Sequence, residues 1–259
     1  MKRISIVVIV SIMILSFALS SYAIPKDDLV LYYSFDASGI SGGTAKDLSG
    51  NGYDGTINGG AKVVNGVLEF DGQDGYVVTP ALDIVRTGEF LVFTAICRFR
   101  TDTAANGPLW MWGDNANPSS SSGAEAPMGW KSTTGNFCAG FYSNAHFYAE
   151  AETDYADNNW HFAAQVGDEA LGYLYVDGKQ LASATAGYIY AAPPYFLIGA
   201  RTKNSGSEID DIEYFAGAMS MVAIYARILD EGDMNEISSE ILAVSESGKL
   251  ATQWGQIKQ

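Results

Sequence analysis

Apolar and polar residues alternate along most of this chain in short runs, the pattern of β-strands that bury one face. The first clear run places Leu29, Leu31, Tyr33 and Phe35 on one side. Further runs of this kind occupy 67–70, 75–79, 90–100, 108–112, 136–142, 146–151, 160–166, 195–198 and 215–225. Clusters of Gly, Asn, Ser and Asp separate them, which is typical of an antiparallel sandwich rather than of alternating strands and helices.

Two local signals place a hairpin and a helix in this pattern. The run 171–176 is followed by Asp177-Gly178, and Asp-Gly supplies the positive φ angles of a two-residue hairpin turn. After Asp230, a helix-capping residue type, the apolar period changes to three or four residues. The apolar positions of this helix are Met234, Ile237, Ile241 and Leu242. We therefore predict an all-β fold, a two-sheet antiparallel sandwich with one short C-terminal helix.

The composition is that of an acidic globular protein. Of 259 residues, 30 are Asp or Glu and 15 are Lys or Arg, which gives a formal net charge of −15. Hydrophobic residues make up 47% of the chain and aromatic residues 12%, so a disordered chain is excluded. The excess of carboxylates argues against a nucleic-acid partner, because affinity for polyphosphate depends on Lys and Arg.

The segment 1–23 has the layout of a secretory signal peptide. Lys2 and Arg3 precede an uncharged apolar run, which ends in the small-residue segment Ser21-Tyr22-Ala23. The alternative is an uncleaved membrane anchor, because the apolar run nearly reaches the length that spans a bilayer. We predict cleavage after Ala23, no membrane span in the mature chain, and export to the extracellular space, the cell surface or the periplasm.

The remainder of the chain is predicted to form one domain at 24–242, followed by a polar tail at 243–259. Cys97 and Cys138 are the two cysteines of the chain. Disulfides persist in exported proteins, so a bridge between these residues is favoured over two buried free thiols.

The order of several short motifs resembles that of a known family. The motifs are Leu31-Tyr32-Tyr33-Ser34-Phe35-Asp36, Asp47-Leu48-Ser49-Gly50-Asn51-Gly52-Tyr53-Asp54-Gly55, Leu68-Glu69-Phe70-Asp71-Gly72, Trp160-His161-Phe162 with Leu174-Tyr175-Val176-Asp177-Gly178, Leu197-Ile198-Gly199-Ala200 with Phe215-Ala216-Gly217, and Ile224-Tyr225-Ala226-Arg227-Ile228-Leu229. Together they resemble the laminin-G-like jelly-roll domains of the concanavalin A-like lectin and glucanase superfamily. The resemblance implies a jelly-roll sandwich that meets its ligands at a loop rim or on a concave face. The tail segment 248–255 resembles short endings of exported bacterial proteins of this kind.

A calcium site is the first functional candidate. Asp36, Asp47 and Asn51, with Asp54 nearby, concentrate oxygen atoms in glycine-rich loops, and Ca²⁺ prefers oxygen ligands. The resemblance implies a structural calcium that pins such loops to the sandwich. The alternative is that these side chains only shape turns by accepting backbone hydrogen bonds.

A second candidate is catalytic. The stretch Glu208-Ile209-Asp210-Asp211-Ile212-Glu213 resembles the acidic motif of jelly-roll β-glucanases. The resemblance implies that Glu208 is a nucleophile, Asp210 a helper and Glu213 the acid/base of a retaining glycoside hydrolase. In those hydrolases the motif precedes a hairpin like that at Asp177-Gly178, whereas here it follows the hairpin. We therefore predict no enzyme activity and keep the hydrolase as the alternative.

The third candidate is a glycan-binding surface formed by Trp110, Trp112 and Trp130, with Tyr142 or His146 assisting. Exposed aromatic rings at these positions would stack on sugars, while the alternative is that they fill the core. For Trp160 the core is the preferred interpretation. We predict an exported, non-catalytic binding or adhesion module whose partner is a polysaccharide, a glycoconjugate or a surface protein. A structural cell-surface domain for protein interactions is the second alternative.

Overall fold

The computed structural model describes residues 25–239, except 84–85, 88–89, 105–106, 114–125, 132, 143–145, 170, 186–194 and 203–211. The predicted signal peptide and the predicted tail lie outside these residues. Within the described ranges, no helix is long and apolar enough to cross a membrane.

Two large antiparallel sheets form the domain, and their strands are numbered here along the chain. The first sheet has eight strands in the spatial order β17 (Lys179–Thr185), β16 (Leu171–Val176), β15 (His161–Asp168), β10 (Phe93–Arg100), β21 (Ala216–Tyr225), β6 (Val67–Asp71) and β5 (Lys62–Val64), with β1 (Leu29–Ser34) also paired to β21. The second has nine in the order β14 (His146–Ala151), β13 (Phe137–Tyr142), β12 (Ala126–Trp130), β11 (Pro108–Gly113), β18 (Tyr195–Ile198), β7 (Tyr76–Val78), β4 (Gly55–Asn58), β3 (Thr44–Ala45) and β2 (Ile40–Ser41). Two small ribbons pair β8 (Arg86–Thr87) with β9 (Phe90–Leu91), and β19 (Ala200–Thr202) with β20 (Ile212–Tyr214). The predicted all-β jelly-roll sandwich is confirmed.

The core lies between the two sheets and is rich in aromatic residues. Trp110 and Trp112 of β11 and Trp130 of β12 are all buried in it, together with Phe99 of β10. One polar side chain, Gln165 of β15, is fully buried among them. Its amide oxygen accepts hydrogen bonds from both indole groups of β11, so the first sheet is joined to the second by a polar contact inside the core.

The helix occupies 231–239 and covers part of the outer face of the first sheet. Met234 and Ile237 are buried there in a cluster that includes Ile96 of β10. Asp230 caps the helix as predicted, because its Oδ1 accepts a hydrogen bond of 2.9 Å from the backbone N of Asp233. The predicted positions Ile241 and Leu242 lie outside the described residues.

The hairpin prediction is also confirmed. Asp177 and Gly178 have φ angles of 51° and 77°, which is the type I′ pattern that matches the twist of the flanking strands β16 and β17.

The predicted bridge between Cys97 and Cys138 is absent, and both thiols are free and buried. Cys97 belongs to the core between the sheets. Cys138 alternates along β13 with two core residues, Phe137 and Ala139, so its thiol leaves the opposite face of the second sheet. The backbone of the second sheet therefore separates the two sulfur atoms.

The first and last strands of the chain are neighbours in the first sheet. β1 pairs with the C-terminal half of β21, from Leu29 opposite Tyr225 to Ser34 opposite Met221. The N-terminal half of β21 pairs with β6, so two shorter strands share one edge of the ten-residue strand.

Candidate functional site

The prediction that three tryptophans bind a ligand is wrong, because all three are buried in the core. Trp110 and Trp112 are 0% exposed and Trp130 is 1% exposed. The Nε1 atoms of the first two donate to Oε1 of Gln165 over 2.8 and 3.2 Å, and Nε2 of Gln165 donates to the carbonyl oxygen of Gly140 over 2.6 Å. The face of β11 opposite to these tryptophans is buried as well, which explains why the strand is apolar on both faces. The side chains of Tyr142 and His146 lie outside the described part of the structure.

The predicted calcium ligands turn their polar atoms to the backbone. Asp47 accepts hydrogen bonds from the backbone N atoms of Tyr32, Ser49 and Tyr53 over 3.0 to 3.1 Å. Asn51 donates to the carbonyl oxygens of Leu29 and Val30 over 2.9 and 3.0 Å. These contacts fasten the loop to β1 and shape its turns.

Asp36 and Asp54 also have partners within the protein. Asp36 accepts from the backbone N atoms of Ser38 and Gly39 over 2.8 and 3.3 Å, and Asp54 pairs with Lys46 over 2.5 Å. Among the described residues, no group of three or more His, Cys, Asp or Glu side chains converges to hold a metal ion. The observed contacts are those of the turn-shaping alternative, and the calcium site stays a prediction.

The structure describes one of the three alternative catalytic residues. Glu208 and Asp210 lie outside the described residues. Glu213 of β20 is 5% exposed and makes an ion pair with Arg201, its cross-strand partner on β19. A carboxylate that is buried and paired with a guanidinium is poorly placed to exchange a proton with a substrate. The geometry of Glu213 thus argues against its predicted acid/base role.

A surface cleft lies on the outer face of the first sheet, beyond the end that the helix covers. Ala218 of β21 stands between two cross-strand partners, Arg100 of β10 and Glu69 of β6. Each of these three residues alternates with a core residue along its strand, so their side chains face outward. A cavity of about 250 Å³ lies there, above the small side chain of Ala218. Its lining is Glu69, Phe70, Arg100, Thr101, Asp102, Asn158, Gly217 and Ala218.

Gly217 is required by the close approach of the strands at the cleft. A Cβ atom at this position would lie 2.5 Å from the carbonyl oxygen of Arg100 and 2.6 Å from the ring of Phe215. Any larger residue would therefore displace β10 or the core at the floor of the cleft.

The loop 157–160 forms the rim of the cleft, and several contacts fix its position. The backbone N of Asn158 donates to the carbonyl oxygen of Thr101 over 2.7 Å, and Asn158 has a positive φ of 64°. Oγ1 of Thr101 donates in turn to the carbonyl oxygen of Ala216 on β21, also over 2.7 Å. The exposed Asn158 side chain is therefore presented at the cleft by a rigid backbone.

His161 also fixes the position of this rim loop through hydrogen bonds. Its Nδ1 lies 2.9 Å from Oδ2 of Asp177, and its Nε2 lies 3.0 Å from Oδ1 of Asp157. The hydrogen bond to Asp177, together with that to Asp157, outweighs partial burial and raises the pKa of His161 above its usual value. Both contacts are satisfied at once only when both ring nitrogens carry a proton, so the imidazolium form fastens the loop.

Trp160 is not a core residue, contrary to prediction. Its half-buried indole lies against two guanidinium groups, with the Cζ atoms of Arg98 and Arg100 at 4.7 and 5.1 Å from the ring centroid. These distances are within the range of cation–π interactions. Arg100 therefore joins the cleft, which it lines, to the aromatic face beside it.

Comparison with known proteins identifies the family. Residues 71–235, more than half of the chain, match a laminin-G family model described as the concanavalin A-like lectin/glucanases superfamily. The chain belongs to this family. No curated protein matches the sequence of this laminin-G-like chain.

Several solved structures share the fold of this laminin-G-like domain. Domain 4 of an extracellular arabinanase from Geobacillus stearothermophilus, in complex with arabinotriose, superposes with a TM-score of 0.62 at 17% identity, over 81% of this chain and 98% of that domain. A Trypanosoma rangeli sialidase has a TM-score of 0.57 at 19% identity, over 83% of this chain and 33% of its own. The binding domain of botulinum neurotoxin DC, in complex with SialylT, has a TM-score of 0.56 at 15% identity, over 83% and 52%. The laminin-G-like chain thus spans about a third of the sialidase and half of the toxin chain.

The residues at the cleft were missed by sequence reasoning, although a signal was present. Arg98, Phe99 and Arg100 alternate charge and apolar character, which predicts two cations on the outer face of a strand. The partner Trp160 and the rim residue Asn158 come from a loop sixty residues later, and only the pairing of β10 with β15 shows that they are neighbours.

Proposed function

We propose that this chain is an exported, non-catalytic carbohydrate-binding module that takes its ligand in the cleft on the first sheet. The observation that carries the proposal is the composition of the cleft, in which Arg100, Glu69, Asp102 and Asn158 surround a floor of small residues. Guanidinium, carboxylate and amide groups together donate to and accept from sugar hydroxyls, and Trp160 adds an apolar ring beside them.

The fold is consistent with the same proposal. The arabinanase domain was solved with arabinotriose and the toxin binding domain with SialylT, and both share the sandwich of this chain. The same fold carries different ligands in different proteins, so the side chains of the cleft define the ligand of this chain.

The test is a glycan-array screen of the purified protein, followed by calorimetry with the best ligand and a cleft variant. Asp102→Ala removes an exposed carboxylate at the cleft, and we expect affinity to fall by about tenfold or more, because hydrogen bonds to charged groups contribute about 1.5–3 kcal/mol. Asp83→Ala is the control, since Asp83 is also exposed but lies outside the cleft lining. Equal affinities for the two variants would contradict the proposed site.

The same experiments separate the alternatives. Absence of binding across the array favours a structural surface domain. Release of reducing ends from a bound glycan, abolished by Glu208→Gln, would replace the non-catalytic proposal with a retaining hydrolase.

A further inference from the structure

The arginine pair beside the cleft has no carboxylate partner among the residues that the structure describes. Arg98 and Arg100 stand two residues apart on β10, so both side chains leave the outer face of the first sheet. Among the described residues, neither guanidinium makes an ion pair with a carboxylate or donates a hydrogen bond. Their shared contact is the indole ring of Trp160.

Two other arginines that the structure describes behave differently. Arg201 pairs with Glu213, and Arg227 pairs with Asp233 over 2.8 Å. In a chain with 30 acidic and 15 basic residues, a carboxylate partner for an arginine is easily supplied. Two guanidinium groups on one indole, neither of them paired with a carboxylate among the described residues, therefore keep their N–H donors available for a ligand.

The surroundings of the pair favour a ligand that carries a carboxylate. Arg98 is half-buried, and desolvation lowers the pKa of its guanidinium below the usual value while leaving it charged at neutral pH. A guanidinium offers a planar fork of donors that matches the two oxygens of a carboxylate, and stacking on Trp160 restricts the orientation of that fork. Each guanidinium of the pair thus suits a planar anion.

The rest of the cleft restricts the ligand further. Glu69 and Asp102 line the cavity together with Arg100 and would repel a densely charged ligand such as a polysulfate. They do accept hydrogen bonds from hydroxyl groups, as does the amide of Asn158. The cavity of about 250 Å³ is slightly smaller than the ~300–1,000 Å³ sites of drug-sized ligands, which suits one sugar ring.

We propose that the cleft binds a uronic-acid residue of an acidic polysaccharide, with its carboxylate on the guanidinium groups of Arg98 and Arg100 and its hydroxyl groups on Glu69, Asp102 and Asn158. This inference rests on the proposed carbohydrate-binding function and names the ligand class of that same site.

The test compares matched acidic and neutral oligosaccharides by calorimetry on the purified protein. Oligogalacturonate and oligoglucuronate are the acidic ligands, and their carboxyl-reduced counterparts are the neutral ones. We expect at least one acidic ligand to bind tenfold or more tightly than its reduced counterpart. Arg98→Gln and Arg100→Gln should each remove most of this difference.

Lys179→Gln is the matched control, because Lys179 is an exposed cation on the edge strand β17, away from the cleft. It should leave both affinities within twofold of the parent protein. An unchanged melting temperature of the two arginine variants shows that they fold, so that a loss of affinity reports the site.

Two outcomes overturn the inference. Equal binding of acidic and reduced oligosaccharides would exclude the carboxylate contact while leaving the cleft a carbohydrate site. Binding of sulfated oligosaccharides in preference to uronates, with the same dependence on the arginines, would exclude the assignment to a uronic acid. Failure of the proposed function itself is distinguishable, since it would appear as no binding to any glycan on the array.

Discussion

Replacing Gln165 with methionine tests whether the two sheets are joined by a polar contact inside the core. In the native domain the Gln165 amide accepts from the indole Nε1 atoms of Trp110 and Trp112 and donates to the carbonyl oxygen of Gly140. Methionine has a similar length and fills the space, but it offers no comparable donor or acceptor. The substitution therefore removes three hydrogen bonds with little change in volume.

The expected loss of stability follows from the groups left behind. Each buried donor or acceptor without a partner costs about 1–3 kcal/mol, which gives about 3–9 kcal/mol for two indole N–H groups and one carbonyl. Burial of the apolar end of methionine offsets about 1–2 kcal/mol of this cost. Allowing for relaxation of the surrounding core, we expect Gln165→Met to lower the free energy of unfolding by about 3–5 kcal/mol.

Urea unfolding followed by tryptophan fluorescence measures this loss. With an m-value of about 3 kcal/mol per M, the midpoint should fall by about 1–1.7 M. Gln73→Met is the control, because Gln73 is exposed, and it should change the stability by less than about 0.5 kcal/mol. A loss below about 1 kcal/mol for Gln165→Met would refute the assigned role of the network.

A glutamate at the same position sharpens the test. Gln165→Glu keeps two acceptor oxygens for the indole groups but loses the donor to Gly140 and buries a charge. We expect this variant to be strongly destabilised at pH 7 and to recover part of its stability at acid pH, where the protonated carboxyl can donate again. Stability independent of pH, relative to the parent protein, would contradict this explanation.

Three further predictions concern charges and thiols. The pKa of His161 is raised in the folded protein, so the contribution of this residue to stability is complete below pH ~6.5 and is lost as the pH rises through the folded pKa. Melting curves between pH 6 and 9 should show this loss in the parent protein but not in His161→Gln. Arg201→Met leaves the buried carboxylate of Glu213 without its cation and should lower the free energy of unfolding in urea by about 3–5 kcal/mol. Adding Glu213→Leu should restore most of the stability, and no recovery in the double variant would refute this prediction. Burial raises the pKa of Cys138 to about 12 and that of Cys97 well above its usual value. A thiol reagent should therefore modify neither cysteine in the native protein and both after unfolding. A melting temperature that reductant lowers would instead reveal a disulfide bridge.

The fold could be predicted because its determinants are local. Alternation predicted most long strands, and the turn at Asp177-Gly178 and the cap at Asp230 were readable because each depends on adjacent residues. The strand β12 was missed, because its sequence combines Pro127 and Gly129 with large apolar residues and shows no alternation. Its place follows from pairing with β11 and β13, which is non-local.

The candidate site was harder to predict because burial depends on the whole fold. The sequence shows that Trp110 and Trp112 are large and apolar but not which sheet covers them. The buried partner that satisfies their N–H groups, Gln165, is more than fifty residues away. Likewise, Asp47 has the residue type of a metal ligand, yet three backbone N–H groups occupy its oxygens. Competition for hydrogen bonds decides such cases, and it is visible only in three dimensions.

The pairing of β1 with β21 has a mechanical consequence. Leu29 and Tyr225 lie side by side at one end of the ladder, so force that separates these two residues would unzip the strands one pair at a time. The cleft lies at the opposite end of β21, seven residues and roughly 23 Å from Tyr225. Force transmitted along β21 from a ligand in the cleft to Tyr225 therefore runs parallel to the strands and loads many hydrogen bonds in shear at once. The β1–β21 ladder is therefore weak against separation of Leu29 from Tyr225 and strong against a pull along β21 from the cleft.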